Sequence, residues 1–264
     1  MDKNFLVDCL DKGMSTRDIE KISEKSRSTI SYWIHKYNLE NNSNYAKDDN
    51  YKFEKIDTKE KAYVLGFILA DGAITNTNTE ISVSLYDKNV VEFISKIIGG
   101  KVRYDHTLNK TQRRFPRARL IKKIIDITKF TGGLLKVDRH YPRVRDDLER
   151  YLIQGLFDAD GCLTWGRRKD KNRLWQKVSF SSQLKILQGV QQYLIKKLNI
   201  STIVRPKANE NCYVLEFANI NDVLKFCDHI YPNENFIILK RKYLTYKALR
   251  LELEENGESN SSDC

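Results

Sequence analysis

Asp71 and Asp160 each close an apolar run and precede a glycine, in "AYVLGFILADGAIT" (62–75) and "YLIQGLFDADGCLT" (151–164). The pattern predicts two helices, each stopped by its glycine, Gly72 or Gly161, in a left-handed conformation. An aspartate in a last helical turn faces the negative end of the helix dipole, where an anion is unwelcome. Asp-Gly is ordinary turn chemistry, but carboxylates at that end also suit a bound cation. Two such acids brought side by side would hold a divalent ion, with Gly72 and Gly161 in the same metal site.

The two runs align at a spacing of 89 residues, from Asp71 to Asp160. Gly66 then meets Gly155, Ala70 meets Ala159, and Thr75 meets Thr164. Self-similarity of this kind predicts a duplicated unit. The segments downstream of each copy are parallel as well. "TEISVSLYDK" and "QKVSFSSQLK" alternate like half-buried strands, and each leads into a helix, "NVVEFISKIIG" or "ILQGVQQYLIKKLNI". Further strands and a third helix ("KKIIDITKF" and "INDVLKFCDHIY") precede the basic stretches "GLLKVDRHY" and "FIILKRKY", which set Lys136 opposite Lys240. Each half therefore reads α-β-β-α-β-β-α, an α+β fold. Gly66 with Ala70, and Gly155 with Ala159, lie four apart and so share one helix face. Small residues there predict two helices crossing at a pseudo-two-fold axis, closer than the usual ~8–10 Å. Both acids would then emerge together.

The chain has 264 residues and a formal net charge of +11, from 46 Lys and Arg against 35 Asp and Glu, a balance that favours polyanionic partners. No apolar run reaches membrane-spanning length, and "MDKNFLVDCLDKGMSTRD" lacks a signal-peptide pattern. An intracellular protein, cytoplasmic or nucleoid-associated and not secreted, is expected. The five cysteines are scattered without a C-x-x-C, which predicts reduced thiols, and the four histidines are far apart. Neither pattern suggests a zinc site.

Residues 1–40 read as three short helices, with Ser15 and Ser26 as N-caps, Ile19 and Ile22 facing inward, and Ile30, Trp33 and Ile34 on one face. That is a helix-turn-helix pattern, whose last helix would turn Arg27, Ser28, Thr29 and Tyr32 toward DNA, with Lys36 near phosphate. A small docking module is the plainer reading. Residues 41–55 read as a linker, residues 56–150 and 151–250 as the two repeats, and residues 251–264 as an acidic disordered tail.

"VLGFILADG" and "IQGLFDADG" resemble the two signature helices of the LAGLIDADG (DOD-type) homing endonucleases, over roughly residues 56–250. The resemblance implies a monomeric pseudo-dimer whose antiparallel strands form a saddle along the DNA major groove. It also implies site-specific double-strand cleavage across the minor groove, leaving a short 3′ overhang. Asp71 and Asp160 would be the metal-binding catalytic pair, with Lys136 and Lys240 near the cleaved phosphate. Leu69 stands where the second copy has Asp158, an upstream acid that the resemblance treats as dispensable.

Phosphodiester hydrolysis needs an activated water and a clamp on both the attacking and leaving oxygens, which ions between acids provide. Hard oxygen donors suit Mg²⁺ (or Mn²⁺), and a nearby lysine offsets developing charge. The outward strand faces supply the DNA readers. Thr75, Asn76, Ser82, Ser84, Arg103, Arg114, Arg117 and Arg119 are candidates in the first half. Thr164, Arg167, Arg168, Lys169, Gln176, Ser179, Arg205 and Lys207 are their counterparts, whereas Trp165 and Trp175 are expected to pack. Double-stranded DNA is thus the expected partner, with no membrane. A non-cleaving DNA-binding regulator and an RNA-splicing maturase acting on intron RNA use the same scaffold. Two intact acids argue against the regulator, while the basic saddle would serve the maturase equally well.

Overall fold

The computed structural model describes residues 1–11, 14–39, 55–74, 81–85, 87–98, 101–105, 110–115, 139–168, 173–207, 212–232, 236–237 and 239–255. The chain forms two compact units, Met1–Lys52 and Phe53–Cys264.

The smaller unit holds α1 (Lys3–Asp11), α2 (Thr16–Ser23) and α3 (Arg27–Lys36). Ser15 caps α2 in a reciprocal box with Asp18, and the Ser26 hydroxyl accepts from the Thr29 amide to start α3. Leu6, Cys9, Leu10, Ile19, Ile30 and Ile34 form its core. Ile22, expected inward, is 54% exposed. Helix α2 ends one residue later and the chain turns away through left-handed Glu24, leaving Ile22 uncovered.

The larger unit runs α4 (Lys59–Asp71), β1 (Ala73–Ile74), β2 (Ile81–Leu85), α5 (Lys88–Ile98), β3 (Lys101–Asp105) and β4 (Lys110–Phe115). It continues through α6 (Glu149–Asp160), β5 (Gly161–Arg167), β6 (Leu174–Ser182), α7 (Leu184–Leu198), β7 (Ile203–Pro206), β8 (Tyr213–Phe217), α8 (Ile220–Ile230) and α9 (Lys240–Glu255). Each half contributes a four-stranded antiparallel sheet, in the same order: β1-β2-β4-β3 and β5-β6-β8-β7. This is the α+β duplication that the sequence predicts. The third helix expected in the first half, near residues 122–130, lies outside the described residues.

Helices α4 and α6 run through the middle. Lys61 to Ala70 are buried without a break, as are Leu152 to Asp158. A helix buried on all sides belongs in a core, and the near absence of charge in both runs is the sequence form of that burial. α7 and α8 cover the second sheet with Ile186, Leu187, Val190, Val223, Phe226 and Ile230, while Val90, Val91, Ile94 and Ile98 of α5 are buried in the first half.

Helix α9 carries regular structure past Leu251, where the sequence suggested a disordered tail. Tyr246, Leu249 and Leu253 are buried along one side of it, and Glu252 pairs with Arg167 of β5 at 2.5 Å. Residues 256–264 lie outside the described residues.

Candidate active site

The glycines at 66 and 155 set the geometry. A Cβ on Gly66 would lie 2.1 Å from the Leu152 carbonyl oxygen, and one on Gly155 would lie 2.0 Å from the Tyr63 carbonyl oxygen. Residues 63 and 152 are themselves equivalent in the 89-residue spacing, so α4 and α6 touch backbone to backbone in a reciprocal, pseudo-symmetric way. No side chain other than hydrogen fits at either position.

Both helices end on their acids. Asp71 is the last residue of α4 and half-exposed, and Asp160 is the last of α6 and exposed. Ala70 and Asp160 line one small recess, so the two helix ends lie together. The following glycines do not adopt the expected left-handed conformation. Gly72 (φ −69°, ψ 136°) and Gly161 (φ −71°, ψ 159°) are extended. They are required for space instead, because the chain doubles straight back from helix to strand. A Cβ on Gly72 would lie 2.3 Å from the Ile68 oxygen, and one on Gly161 would lie 2.2 Å from the Phe157 ring.

Protein cations already meet the dipole problem at each helix end. Arg139 is buried and donates to the carbonyls of Leu69, Ala70 (3.3 Å) and Gly72 (3.2 Å) at the end of α4. Lys242 is buried and donates to the carbonyls of Phe157 (2.5 Å) and Gly161 at the end of α6. Burial lowers the Arg139 guanidinium to about 10, against an opposing pull from the Asp160 charge. Burial likewise lowers Lys242 to about 8, against the charges of Asp158 and Asp160. Asp160 thus faces both cations, while Arg139 holds the opposite helix.

Neither cation is one of the residues that the sequence sets near the phosphate, Lys136 and Lys240. Lys240 opens α9 with its side chain exposed, and Lys136 lies outside the described residues. Lys242 is two residues further round the same helix, on the side that packs. Arg139 lies three residues past Lys136. The clue in sequence was slight: a "KRK" run of which only one member could be turned inward.

Asp158 is fully buried at the same helix end. Its carboxylate accepts hydrogen bonds from the Tyr63 hydroxyl (2.9 Å), the Tyr231 hydroxyl (2.5 Å) and the Leu239 amide (3.2 Å). Burial raises its pKa to about 6, against the lowering effect of these donors and of Lys242. Burial also pushes the Tyr63 and Tyr231 phenols well above their ordinary value, helped by the neighbouring carboxylate.

The second sheet divides the remaining candidates by strand parity. Leu163, Val178, Phe180, Leu215 and Phe217 face the helices. Register puts Trp165 opposite Gln176, and Arg167 opposite Leu174, on that same packed side. Arg167 there meets Glu252, Trp165 donates to the Thr245 carbonyl (3.1 Å), and Gln176 donates to the Ala218 carbonyl (2.7 Å). Arg167 and Gln176 are therefore removed from the outward surface expected for them. The other face carries Thr164, Ser179 and Arg205 as anticipated, with Arg168 and Lys207 exposed beside it. It also carries Lys177, paired with Glu216 at 3.2 Å, and Trp175, which is 42% exposed and packs over Gly166 rather than in the core. Ile203 (62% exposed) shares a shallow recess with Lys177 and Arg205.

In the first sheet, Ser82 and Ser84 lie in β2, Arg103 in β3 and Arg114 in β4, with Ser82 in register with Arg114. Thr75, Asn76, Arg117, Arg119 and Lys169 fall outside the described residues. On α3, Arg27 is tied to Glu20 at 3.1 Å, and Ser28 and Thr29 share hydrogen bonds with Ser26. Lys36 lies 4.6 Å from the Trp33 ring centroid, beside exposed Tyr32. Ser31 and His35 complete the same open recess. Among the described residues no cluster of three His, Cys, Asp or Glu could hold a metal ion.

Residues 147–231 match a family model described as a LAGLIDADG-like domain. No curated protein matches the sequence. Among solved structures, the meganuclease I-SmaMI bound to uncleavable DNA is 13% identical, with a TM-score of 0.55 over 77% of this chain and 92% of that one. The LAGLIDADG homing endonuclease I-GzeII in complex with its DNA target is 12% identical, with a TM-score of 0.54 over 76% and 92%. I-LtrWI bound to target DNA is 11% identical, with a TM-score of 0.53 over 75% and 91%. At such identities the likeness is one of fold. Residues 147–231 are thus similar to a LAGLIDADG-like domain, and the chain as a whole has the fold of the LAGLIDADG homing endonucleases.

Proposed function

We propose that this chain is a site-specific homing endonuclease that makes double-strand breaks in DNA by metal-dependent phosphodiester hydrolysis. The observation that carries the reading is the reciprocal seating of Gly66 and Gly155, which packs the two acid-bearing helices backbone to backbone, with Ala70 and Asp160 lining one recess at their ends. Duplex DNA offers a pseudo-symmetric pair of scissile phosphates, and a pseudo-symmetric pair of acids matches it. Relatives in fold that were crystallised with DNA, I-SmaMI and I-GzeII, support the same partner.

The donor set fits a hard divalent ion. Asp71 and Asp160 provide carboxylate oxygens, and no three-residue acidic, His or Cys cluster competes among the described residues. Mg²⁺ accepts so sparse a set because it keeps most of its water shell. When bound, it would supply an acidified water and neutralise charge on the phosphate oxygens. Asp71 and Asp160 would hold it, and Gly72 and Gly161 leave room for the sharp turn that follows each acid. Lys242 and Arg139 stabilise the carbonyl ends of the helices and leave a positive potential that favours the extra charge of the transition state. Lys240, being exposed, suits a phosphate contact rather than a buried role.

DNA would lie across the outward face of the strands. Thr164, Arg168, Ser179, Arg205 and Lys207 line it in the second half with Lys177, and Ser82, Ser84, Arg103 and Arg114 belong to the strands of the first. In the smaller unit, α3 would read a further stretch of DNA through Ser28, Thr29 and Tyr32, with Arg27 and Lys36 at phosphate.

A cleavage screen against a randomised duplex library tests the reading. With Mg²⁺, the protein should release fragments that share one extended site, and excess chelator should abolish them. Uncut libraries with Mg²⁺ or Mn²⁺, despite tight DNA binding, would overturn it.

A further inference from the structure

We infer that Asp158 is a positioning residue that serves one half of the active site only, so that the two strands of the target depend on it unequally. This inference rests on the nuclease reading.

Three segments converge on this one carboxylate. Tyr63 reaches it from α4, the motif helix of the other repeat; Tyr231 from the end of α8; and the Leu239 amide from the start of α9. The Leu239 carbonyl in turn accepts from the amides of Lys242 (3.0 Å) and Tyr243 (3.1 Å), which opens the first turn of α9. Asp158 thereby anchors the end of α8 together with the turn of α9 that carries Lys242. The Lys242 ammonium ends on the Phe157 and Gly161 carbonyls, which flank Asp160 on α6. Positive charge at Lys242 and negative charge at Asp158 also favour each other across the buried interior.

The first repeat is built differently. Leu69, fully buried, occupies the position equivalent to Asp158. Its backbone carbonyl receives the Arg139 guanidinium, and no carboxylate stands there to anchor the segment that carries the cation. A planar fork bonded to three carbonyls is oriented by its own hydrogen bonds. A flexible lysine at the end of a helical turn is oriented by whatever fixes that turn, and Asp158 fixes it. Loss of the Asp158 charge should therefore loosen Lys242 and disturb the Asp160 side, while Arg139 and the Asp71 side keep their geometry.

The test compares wild type with Asp158→Asn and Tyr231→Phe on a duplex carrying a different label on each strand. Asp158→Asn should bind the duplex as wild type does yet accumulate nicked product, with one strand cut about tenfold or more slowly than the other. Tyr231→Phe, which keeps the carboxylate and the core shape, should show the same bias more weakly. It remains informative if Asp158→Asn fails to fold. A second readout needs no cleavage. Amine labelling should modify Lys242 severalfold faster in the variants, with exposed Lys240 unchanged as an internal control. Equal slowing of both strands, as from a general loss of folded protein, would overturn the inference, and so would a Lys242 protected as in wild type. If wild type itself does not cut, the nuclease reading fails, and the labelling result still decides whether Asp158 positions Lys242.

Discussion

Asp71 and Asp160 end helices whose last carbonyls are already held by cations from the protein itself. The unfavourable dipole at each acid is thus offset in part by Arg139 and Lys242, and the carboxylates remain half-exposed and exposed above them. Replacing Arg139 by Met would leave three carbonyls short of a donor in a buried place. A loss of about 3 kcal/mol in urea-unfolding free energy is expected, with Arg139→Lys losing less. Another residue links stability to pH. Burial lowers the pKa of His229, whose Nε2 pairs with the Tyr193 hydroxyl at 2.5 Å. A histidine with a depressed folded-state pKa binds its proton more readily in the unfolded chain. Its contribution is therefore complete above about 6.5 and is lost as pH falls through the folded value. Because Asp158, with its raised pKa, works in the opposite direction, the test is the difference: between pH 7.5 and 5 the unfolding midpoint of wild type should drop relative to that of His229→Asn. At this scale the acids were legible because their frame recurs at a fixed spacing. Lys242 was not, because which lysine of a basic run turns inward depends on where α9 begins, and Arg139 was not, because a residue outside helix or strand has no periodicity to give its direction.

Elements α4 and α6 owe their approach to two glycines, and the chain has no slack there. Gly66→Ala or Gly155→Ala would drive a methyl group into a carbonyl of the facing helix. Overpacking of this kind costs about 1–3 kcal/mol or more, and it would also part the two acids. Either variant should lose cleavage by more than its unfolded fraction explains, as activity measured alongside circular dichroism would reveal. The duplication implies that the two sheets share one strand order, and they do, although the order itself was not legible in the sequence. Strand parity was readable too: Leu163 facing the core commits Trp165 and Arg167 to the same side. Arg167 and Gln176 lie on the packed side rather than the outward one because alternation along the strand, not the polarity of the side chain, sets which face a residue takes. The conformation of Gly72 and Gly161 could not be read from composition, since a glycine needed for room and a glycine needed for a left-handed turn look alike in sequence.

At the scale of the whole molecule, a net charge of +11 and an open strand face with Lys177, Arg205 and Lys207 predict DNA binding that weakens steeply with salt. Each phosphate neutralised adds about 0.9 to the slope of log affinity against log salt. A titration from low to moderate salt giving a slope near zero would remove duplex DNA as the partner. The two compact units predict a division of labour as well. Without residues 1–40, affinity should drop and the footprint shorten while metal-dependent cutting persists; loss of cutting would put part of the active site in the smaller unit. The most direct test lies at the paired helix ends. On a duplex carrying the selected site, with Mg²⁺ present, Asp71→Asn and Asp160→Asn should each bind as wild type does and make no double-strand break. Either variant cutting both strands at the wild-type rate would contradict the assignment of the paired acids to the metal site.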